Sequence, residues 1–164
     1  MSELQRAIYI DITSFYNTDF MSGIQRVVRE VTIRLLKMPE CNVVLLTWKN
    51  DERELTVLNN ADYLACYDEG TIKKTKIHTA GKLRLEDIAA GSIFFDLDST
   101  WDGRCHPRDE VFPLIAKQGV LVSSYIYDVL PIMYPEFWGA ANLPFCRYLA
   151  ANLRYADALI TSVH

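Results

Sequence analysis

Apolar runs and one helical repeat alternate along the first fifty residues of the chain. Residues 7–13 ("AIYIDIT") and 42–49 ("NVVLLTWK") are short apolar runs of the kind that form buried strands. Between them, residues 24–36 carry apolar side chains at the spacing of one helix face, and Ser22 and Gln25 stand at the spacing of a capping box. Strand, helix and strand in this order predict a βαβ unit, which implies a parallel sheet.

The second half of the chain repeats this alternation, whereas residues 50–90 do not. In that middle stretch short apolar pieces are separated by polar residues, so we expect an irregular excursion. Gly119 is the expected C-terminal cap of the helix before it. Five or so strands alternating with helices predict an α/β fold with a doubly wound, mainly parallel, Rossmann-like sheet. The later elements are predicted as strands at 92–98, 120–128 and 158–163 and helices at 107–118 and 142–155.

In a doubly wound sheet, ligands bind beyond the carboxyl ends of the strands, so polar residues there are the first candidates for a site. They are Asp11 and Ser14 after the first strand, Asp98, Asp128 and Ser162 after later ones.

The stretch "FDLDST" (95–100) is compatible with more than one chemistry. In a haloacid-dehalogenase-like phosphatase, Asp96 would be the nucleophile and Asp98 the general acid, with Mg²⁺ screening both carboxylates. In a single-domain glycosyltransferase the same two residues would hold a divalent ion on the donor diphosphate. Strand alternation predicts that both carboxylates point the same way. A structural cap or turn is another alternative.

Composition further limits the classes of protein to which this chain could belong. The chain has 164 residues and a hydrophobic content of 50%, which fit a single globular domain spanning 1–164. Its net charge of −4 argues against a nucleic-acid binder. No apolar stretch is long enough to span a bilayer and the N-terminus lacks the layout of a signal peptide, so we predict a cytoplasmic protein. The four cysteines lack the paired spacing of zinc or redox sites, so we predict no metal site.

Four segments, in chain order, resemble the N-terminal domain of bacterial glycosyltransferase family 4 proteins. They are "IYIDITSFYNTDFMSGIQRVVREVTIRLL" (8–36), "FFDLDSTWD" (94–102), "SSYIYDVLPIMYPEFW" (123–138) and "YADALITS" (155–162). The resemblance implies one half of a two-domain (GT-B) retaining glycosyltransferase, in which this half receives the acceptor and a second domain, absent from this chain, holds most of the nucleotide-sugar. No metal or other cofactor is implied. The alternatives are the Mg²⁺-dependent phosphatase and a non-catalytic α/β domain that binds a polysaccharide or a partner protein.

The subgroup that the chain resembles builds bacterial surface polysaccharides from sugars such as mannose or rhamnose. The expected partners are therefore a nucleotide-sugar, a glycan or lipid-linked glycan acceptor, and the C-terminal GT-B domain, with no nucleic acid. An acceptor attached to lipid would draw the protein to the inner membrane surface.

The resemblance also implies roles for individual residues. Gly23, Ile24 and Arg26 would face the donor diphosphate, where a helix start offers free N–H groups and the positive end of its dipole. Asp128 and Tyr127 would be catalytic, although many family members have His-Asp where this chain has Tyr-Asp, so any Tyr127 role is limited to hydrogen bonding. The structural alternatives are a plain helix start and a Pro-rigid turn.

The remaining implied residues would bind the acceptor, because carboxylates accept hydrogen bonds from sugar hydroxyls and aromatic rings cover sugar C–H faces. These acceptor residues are Asp11, Asp98, Trp101, Tyr134 and Glu136.

Overall fold

The computed structural model describes residues 6–19, 21–48, 54–68, 77–101, 103 and 105–161. Within these residues the strands are β1 (Ala7–Asp11), β2 (Asn42–Trp48), β3 (Glu54–Leu58), β4 (Thr79–Arg84), β5 (Ile93–Asp96), β6 (Leu121–Ile126) and β7 (Ala158–Thr161). The helices are α1 (Thr13–Tyr16), α2 (Gly23–Lys37), α3 (Asn60–Asp68), α4 (Arg108–Lys117), α5 (Leu130–Met133), α6 (Pro135–Trp138) and α7 (Asn142–Tyr155). None of the described helices combines the length and the apolar character needed to cross a membrane.

The strands form one mixed sheet in the order β4-β3-β2-β1-β5-β6-β7. Strands β2, β1, β5, β6 and β7 are parallel to one another, while β3 and β4 extend the β2 edge in antiparallel fashion. The prediction of an α/β fold with a mainly parallel sheet is therefore confirmed.

The prediction of an irregular middle region is wrong, because residues 54–84 contain β3, α3 and β4. Most residues of β4 are exposed, and its Lys82 side chain pairs with Glu54 of β3 at 2.5 Å. An exposed edge strand needs no apolar alternation, and charged side chains on an edge discourage pairing with other molecules. Apolar periodicity therefore does not predict this strand.

Two apolar clusters lie on opposite faces of the sheet. Strand β1 alternates between them, with Tyr9 in the cluster that includes residues of α4 and α7, and Ile10 in the cluster that includes residues of α2 and α3. Strand β5 alternates in the same way, since Phe94 joins the first cluster and Phe95 packs against the second. The period of two along each strand thus produces three layers, with helices on both faces.

Two helix boundaries follow the predicted signals. At the start of α2 the Gln25 side chain accepts a hydrogen bond from the Ser22 N–H at 3.2 Å, one of the two bonds of a capping box. Just after α4, Gly119 has φ +79°, the left-handed conformation that glycine adopts without strain. Both boundary predictions are confirmed.

The sheet reverses its winding between β1 and β5. The chain leaves β1 through α2, which packs on one face, and leaves β5 through α4, which packs on the other. Loops that diverge in this way open a crevice at the carboxyl edge, where ligands of doubly wound sheets bind.

Candidate functional site

The carboxyl ends of β1 and β5 are joined by a buried ion cluster. Arg108, the first residue of α4, donates hydrogen bonds from Nη2 to Asp11 Oδ2 at 2.6 Å and from Nε to Asp96 Oδ1 at 2.8 Å. The two carboxylate side chains and the guanidinium side chain are completely buried. We call Asp11, Asp96 and Arg108 the buried junction.

Further donors occupy the carboxylates of the junction. Asp11 Oδ2 also accepts from Trp48 Nε1 at 2.8 Å, and Asp11 Oδ1 accepts from the Thr13 N–H at 3.0 Å and from its hydroxyl at 2.5 Å. Asp96 accepts from the Thr100 hydroxyl at 3.3 Å. Burial raises the pKa of the Asp96 carboxyl above its ordinary value, although the guanidinium of Arg108 opposes the rise. The junction therefore ties β1, β2, β5 and α4 together.

This geometry does not support Asp96 as a nucleophile. A phosphatase nucleophile has to touch the phosphorus of its substrate, whereas Asp96 has no exposed surface and is bonded to Arg108. Across the described residues, His, Cys, Asp and Glu side chains form no cluster of three that could hold a metal ion.

Asp98 is also completely buried and binds backbone groups instead of Arg108. Its Oδ2 accepts from the Phe15 N–H at 2.6 Å, and its Oδ1 accepts from the Ser99 N–H at 2.7 Å. The prediction that Asp96 and Asp98 share one side through strand alternation fails, because β5 ends at Asp96 and the two carboxylates bind different elements. Neither Asp98 nor Asp11, the other buried acceptor candidate, lies open to a sugar in this structure.

The end of β6 is more open. Asp128 is exposed, and its Oδ1 accepts from the Leu130 N–H at 3.0 Å in a turn that leads into the short helix α5. Tyr127 is half-buried, and its hydroxyl donates to the Leu97 carbonyl at 2.7 Å. Burial raises the pKa of the Tyr127 phenol, so the hydroxyl stays protonated and holds β6 to the loop after β5. Of the predicted catalytic pair, Asp128 is the more exposed residue.

The segment after β6 exposes aromatic and acidic side chains. Tyr134 and Phe137 lie with their ring centroids 6.4 Å apart, and Glu136 is exposed in the first turn of α6. Trp101, half-buried in the loop after β5, instead packs against Phe145 of α7. Thus Tyr134 and Glu136 lie on an open surface, while Trp101 lies against the helix layer.

The start of α2 is exposed at Gly23, and a Cβ added there would meet nothing within 4 Å. Packing therefore does not require glycine at this position. Arg26 is exposed one turn further along, whereas Ile24 packs against the apolar cluster under α2. Ser162, the candidate after the last strand, lies outside the described residues.

Topology places these groups at one edge of the sheet. Because β1, β5 and β6 are parallel neighbours, their carboxyl ends and the start of α2 all lie at that edge. The bonds from Phe15 to Asp98 and from Tyr127 to Leu97 connect the three ends.

Sequence reasoning missed Arg108 and Trp48, the two residues that complete the junction. Two carboxylates directly after buried strands signal the need for a buried cation. The sequence pattern does not show which basic residue supplies this buried cation.

No family model and no curated protein matches this sequence. The structure of proximal thread matrix protein 1 from the mussel byssus is similar over 95% of this chain, which spans 40% of that protein, with a TM-score of 0.40 and 14% identity. A likeness this weak carries no information about the function of this chain.

Proposed function

We propose that this chain is the acceptor-side domain of a retaining, metal-independent glycosyltransferase. It would transfer a mannose- or rhamnose-type sugar from a nucleotide-sugar to a bacterial surface polysaccharide or a lipid-linked acceptor. A second Rossmann-like domain outside this chain would hold most of the nucleotide-sugar.

The observation that carries the proposal is the placement of the four segments that resemble glycosyltransferase family 4. Although they are spread from residue 8 to residue 162, they supply β1, β5, β6 and β7, which are consecutive parallel neighbours in the sheet. The polar or aromatic loops that follow β1, β5 and β6 therefore lie beside one another at the carboxyl edge, where a doubly wound sheet binds ligands. Segments that are far apart in the sequence would thus contribute to one surface of the folded chain.

Two open groups on this surface suit the proposed chemistry. The exposed carboxylate of Asp128 can accept a hydrogen bond from a sugar hydroxyl, and one of its oxygens is already fixed by the Leu130 N–H. The start of α2 at Gly23 offers backbone N–H groups and the positive end of a helix dipole to a diphosphate, with no side chain in the way. Arg26 adds an exposed positive charge near this start.

The test is a transfer assay of the full-length protein with labelled GDP-mannose and dTDP-rhamnose as donors. Asp128→Asn should lower transfer roughly 10–100-fold, the factor expected when a hydrogen bond to a charged group is lost. The matched control is Asp96→Asn, which changes a buried carboxylate of the junction. Transfer that survives Asp128→Asn but disappears in a folded Asp96→Asn protein would reverse the assignment.

A further inference from the structure

The segment that follows β6 exposes a large amount of apolar surface. Every residue from 132 to 141 is exposed, and neither α6 nor the 3₁₀ turn after it (Gly139–Ala141) contains a buried residue. Exposed apolar side chains dominate this part of the chain. We call them the apolar platform, and they are Val129, Leu130, Ile132, Met133, Tyr134, Phe137, Trp138 and Leu143.

The members of the platform belong to elements that pack together. Helix α5 packs against α6 and α7, and the 3₁₀ turn contacts both α6 and α7. The three aromatic residues are 44%, 81% and 39% exposed, which corresponds to roughly 250–400 Å² of surface. The largest apolar patch on an ordinary monomer covers about 300–600 Å², and the five aliphatic members add to the aromatic surface. A patch of this size indicates an interaction site.

The charges of this segment argue against a second copy of the chain as the partner. Glu136 is the only charged residue between positions 129 and 146, and Asp128 directly precedes the platform. A two-fold contact uses the same patch on both copies. It would bring acidic groups together with no basic residue of this segment to pair with them, which is unfavourable.

The segment forms its own backbone hydrogen bonds although it is exposed. The N–H groups of Ile132 and Met133 donate to the Val129 carbonyl at 3.0 and 3.1 Å, and that of Tyr134 donates to the Leu130 carbonyl at 2.9 Å. The three prolines between positions 130 and 145 have no N–H to satisfy. A lipid environment imposes this requirement, because it offers backbone donors no reliable partner.

The side chains of the platform also fit a lipid surface better than a protein. A protein interface carries about one hydrogen bond per 100–200 Å², whereas the platform side chains offer only the Tyr134 hydroxyl and the Trp138 indole N–H as donors. Tyrosine and tryptophan are the residues that concentrate at the boundary between lipid and water. Phe137, which is 81% exposed, lies between them in the sequence.

We propose that the apolar platform docks this chain on the surface of a lipid bilayer, with Phe137 and Met133 inserted among the lipids and Tyr134 and Trp138 at the level of the headgroups. The attraction is apolar, because anionic headgroups would repel Glu136 and Asp128. Docking starts at the residue after Asp128, so it would hold the sugar of a lipid-linked acceptor near that carboxylate. Only this last step rests on the proposed function.

The first test is co-sedimentation of the purified chain with phosphatidylcholine vesicles. Phe137→Ala should lower the partition coefficient about tenfold, the effect of withdrawing one phenyl side chain from an apolar environment. Because Phe137 is so exposed, the free energy of unfolding should not change. Leu114→Ala is the control, since Leu114 is an exposed apolar residue of α4 outside the platform, and it should leave partitioning unchanged.

Three outcomes of this experiment would overturn the proposal. They are no binding to phosphatidylcholine, binding that requires phosphatidylglycerol, and equal losses in the two variants. Sedimentation velocity without lipid tests the other occupant. A dimer that dissociates in Phe137→Ala would assign the platform to a second copy of the chain, whereas a monomer agrees with docking on lipid.

The second test locates the inserted surface. Brominated phosphatidylcholine should quench the fluorescence of Trp138, which is more exposed than the chain's other two tryptophans, Trp48 and Trp101. Trp138→Phe should abolish most of the quenching while the variant still co-sediments, because phenylalanine retains the apolar ring. Quenching that persists in Trp138→Phe would place another surface in the bilayer and contradict the assignment.

Failure of this inference can be told from failure of the proposed function. Vesicle binding that depends on Phe137, in a full-length protein that transfers no sugar, would leave the platform assigned and refute the glycosyltransferase. In an active protein, Phe137→Ala should lower transfer to a lipid-linked acceptor in vesicles and leave transfer to a water-soluble glycan unchanged. Equal transfer by variant and parent in vesicles would support the enzyme and refute the role of the platform.

Discussion

Two regions at the same edge of the sheet begin with a similar sequence signal, an apolar strand followed by aspartate, and they differ in what surrounds the carboxylate. At the ends of β1 and β5, Asp11 and Asp96 are completely buried and bonded to Arg108. Just after β6, Asp128 is exposed and accepts a hydrogen bond from the Leu130 N–H at the start of α5. An aspartate at a strand end therefore stabilises the fold at β1 and β5, whereas after β6 it is accessible to a ligand.

The difference has an electrostatic cause. Moving a carboxylate out of water costs several kcal/mol unless a cation and hydrogen bonds replace the solvent. In the buried junction Arg108 is that cation, and the neighbouring Trp48 and hydroxyl groups donate the hydrogen bonds. The Asp128 carboxylate remains exposed to solvent, so it needs no cation and is accessible to a ligand.

The largest effect is expected when the cation of the junction is removed. Arg108→Ala leaves Asp11 and Asp96 buried without a countercharge and should lower the free energy of unfolding by about 3–5 kcal/mol. Urea denaturation of the purified chain measures the change. Arg147→Ala is the control, because its pair with Asp109 is half-exposed and should cost only about 0–1 kcal/mol. Similar losses in the two variants would mean that the junction contributes no more than a surface pair.

A smaller contrast is expected between the two kinds of carboxylate. Asp96→Asn weakens a buried bond to Arg108 and should cost about 1–3 kcal/mol in the same denaturation experiment. Asp128→Asn keeps an oxygen for the Leu130 N–H, so its effect should stay within about 0.5 kcal/mol. A large loss of stability in Asp128→Asn would show that the exposed Asp128 also stabilises the fold.

Substitution of the exposed glycine should uncouple stability from activity. A side chain at position 23 meets no atom within 4 Å, so Gly23→Ala should stabilise the fold by about 0.4–1 kcal/mol through the unfolded chain. In the full-length protein the same methyl group would approach the donor diphosphate and lower transfer. A stabilised variant with unchanged transfer would remove Gly23 from the site.

The smallest effect is the binding signal that we expect when a nucleotide-sugar is added to this chain alone. The start of α2 offers only a few backbone N–H groups and a dipole contribution of about 0.3–1 kcal/mol in water. Calorimetry should therefore show binding in the millimolar range or weaker. Micromolar binding or turnover by residues 1–164 would indicate a complete single-domain enzyme, and Asp96 and Asp98 would then have to be reconsidered as metal ligands.

Local patterns were sufficient for much of the framework. The apolar run at 7–13, the helical repeat at 24–36 and the glycine at 119 correspond to β1, α2 and the end of α4. Strand β4 escaped prediction because an exposed edge strand buries too little to carry an apolar alternation. The same periodicity failed at Asp98, where the strand had already ended and its alternation no longer applied.

The sequence by itself determined the α/β class, most of the parallel strands and the set of polar residues at their carboxyl ends, because each depends on neighbours a few positions apart. Only the tertiary structure decided which of those polar residues are accessible. Arg108 lies 97 residues from Asp11, and Tyr127 lies 30 residues from the carbonyl that it binds. Partners so distant meet only when the sheet assembles, and burial, which sets the cost and the accessibility of a charge, is a property of that assembly.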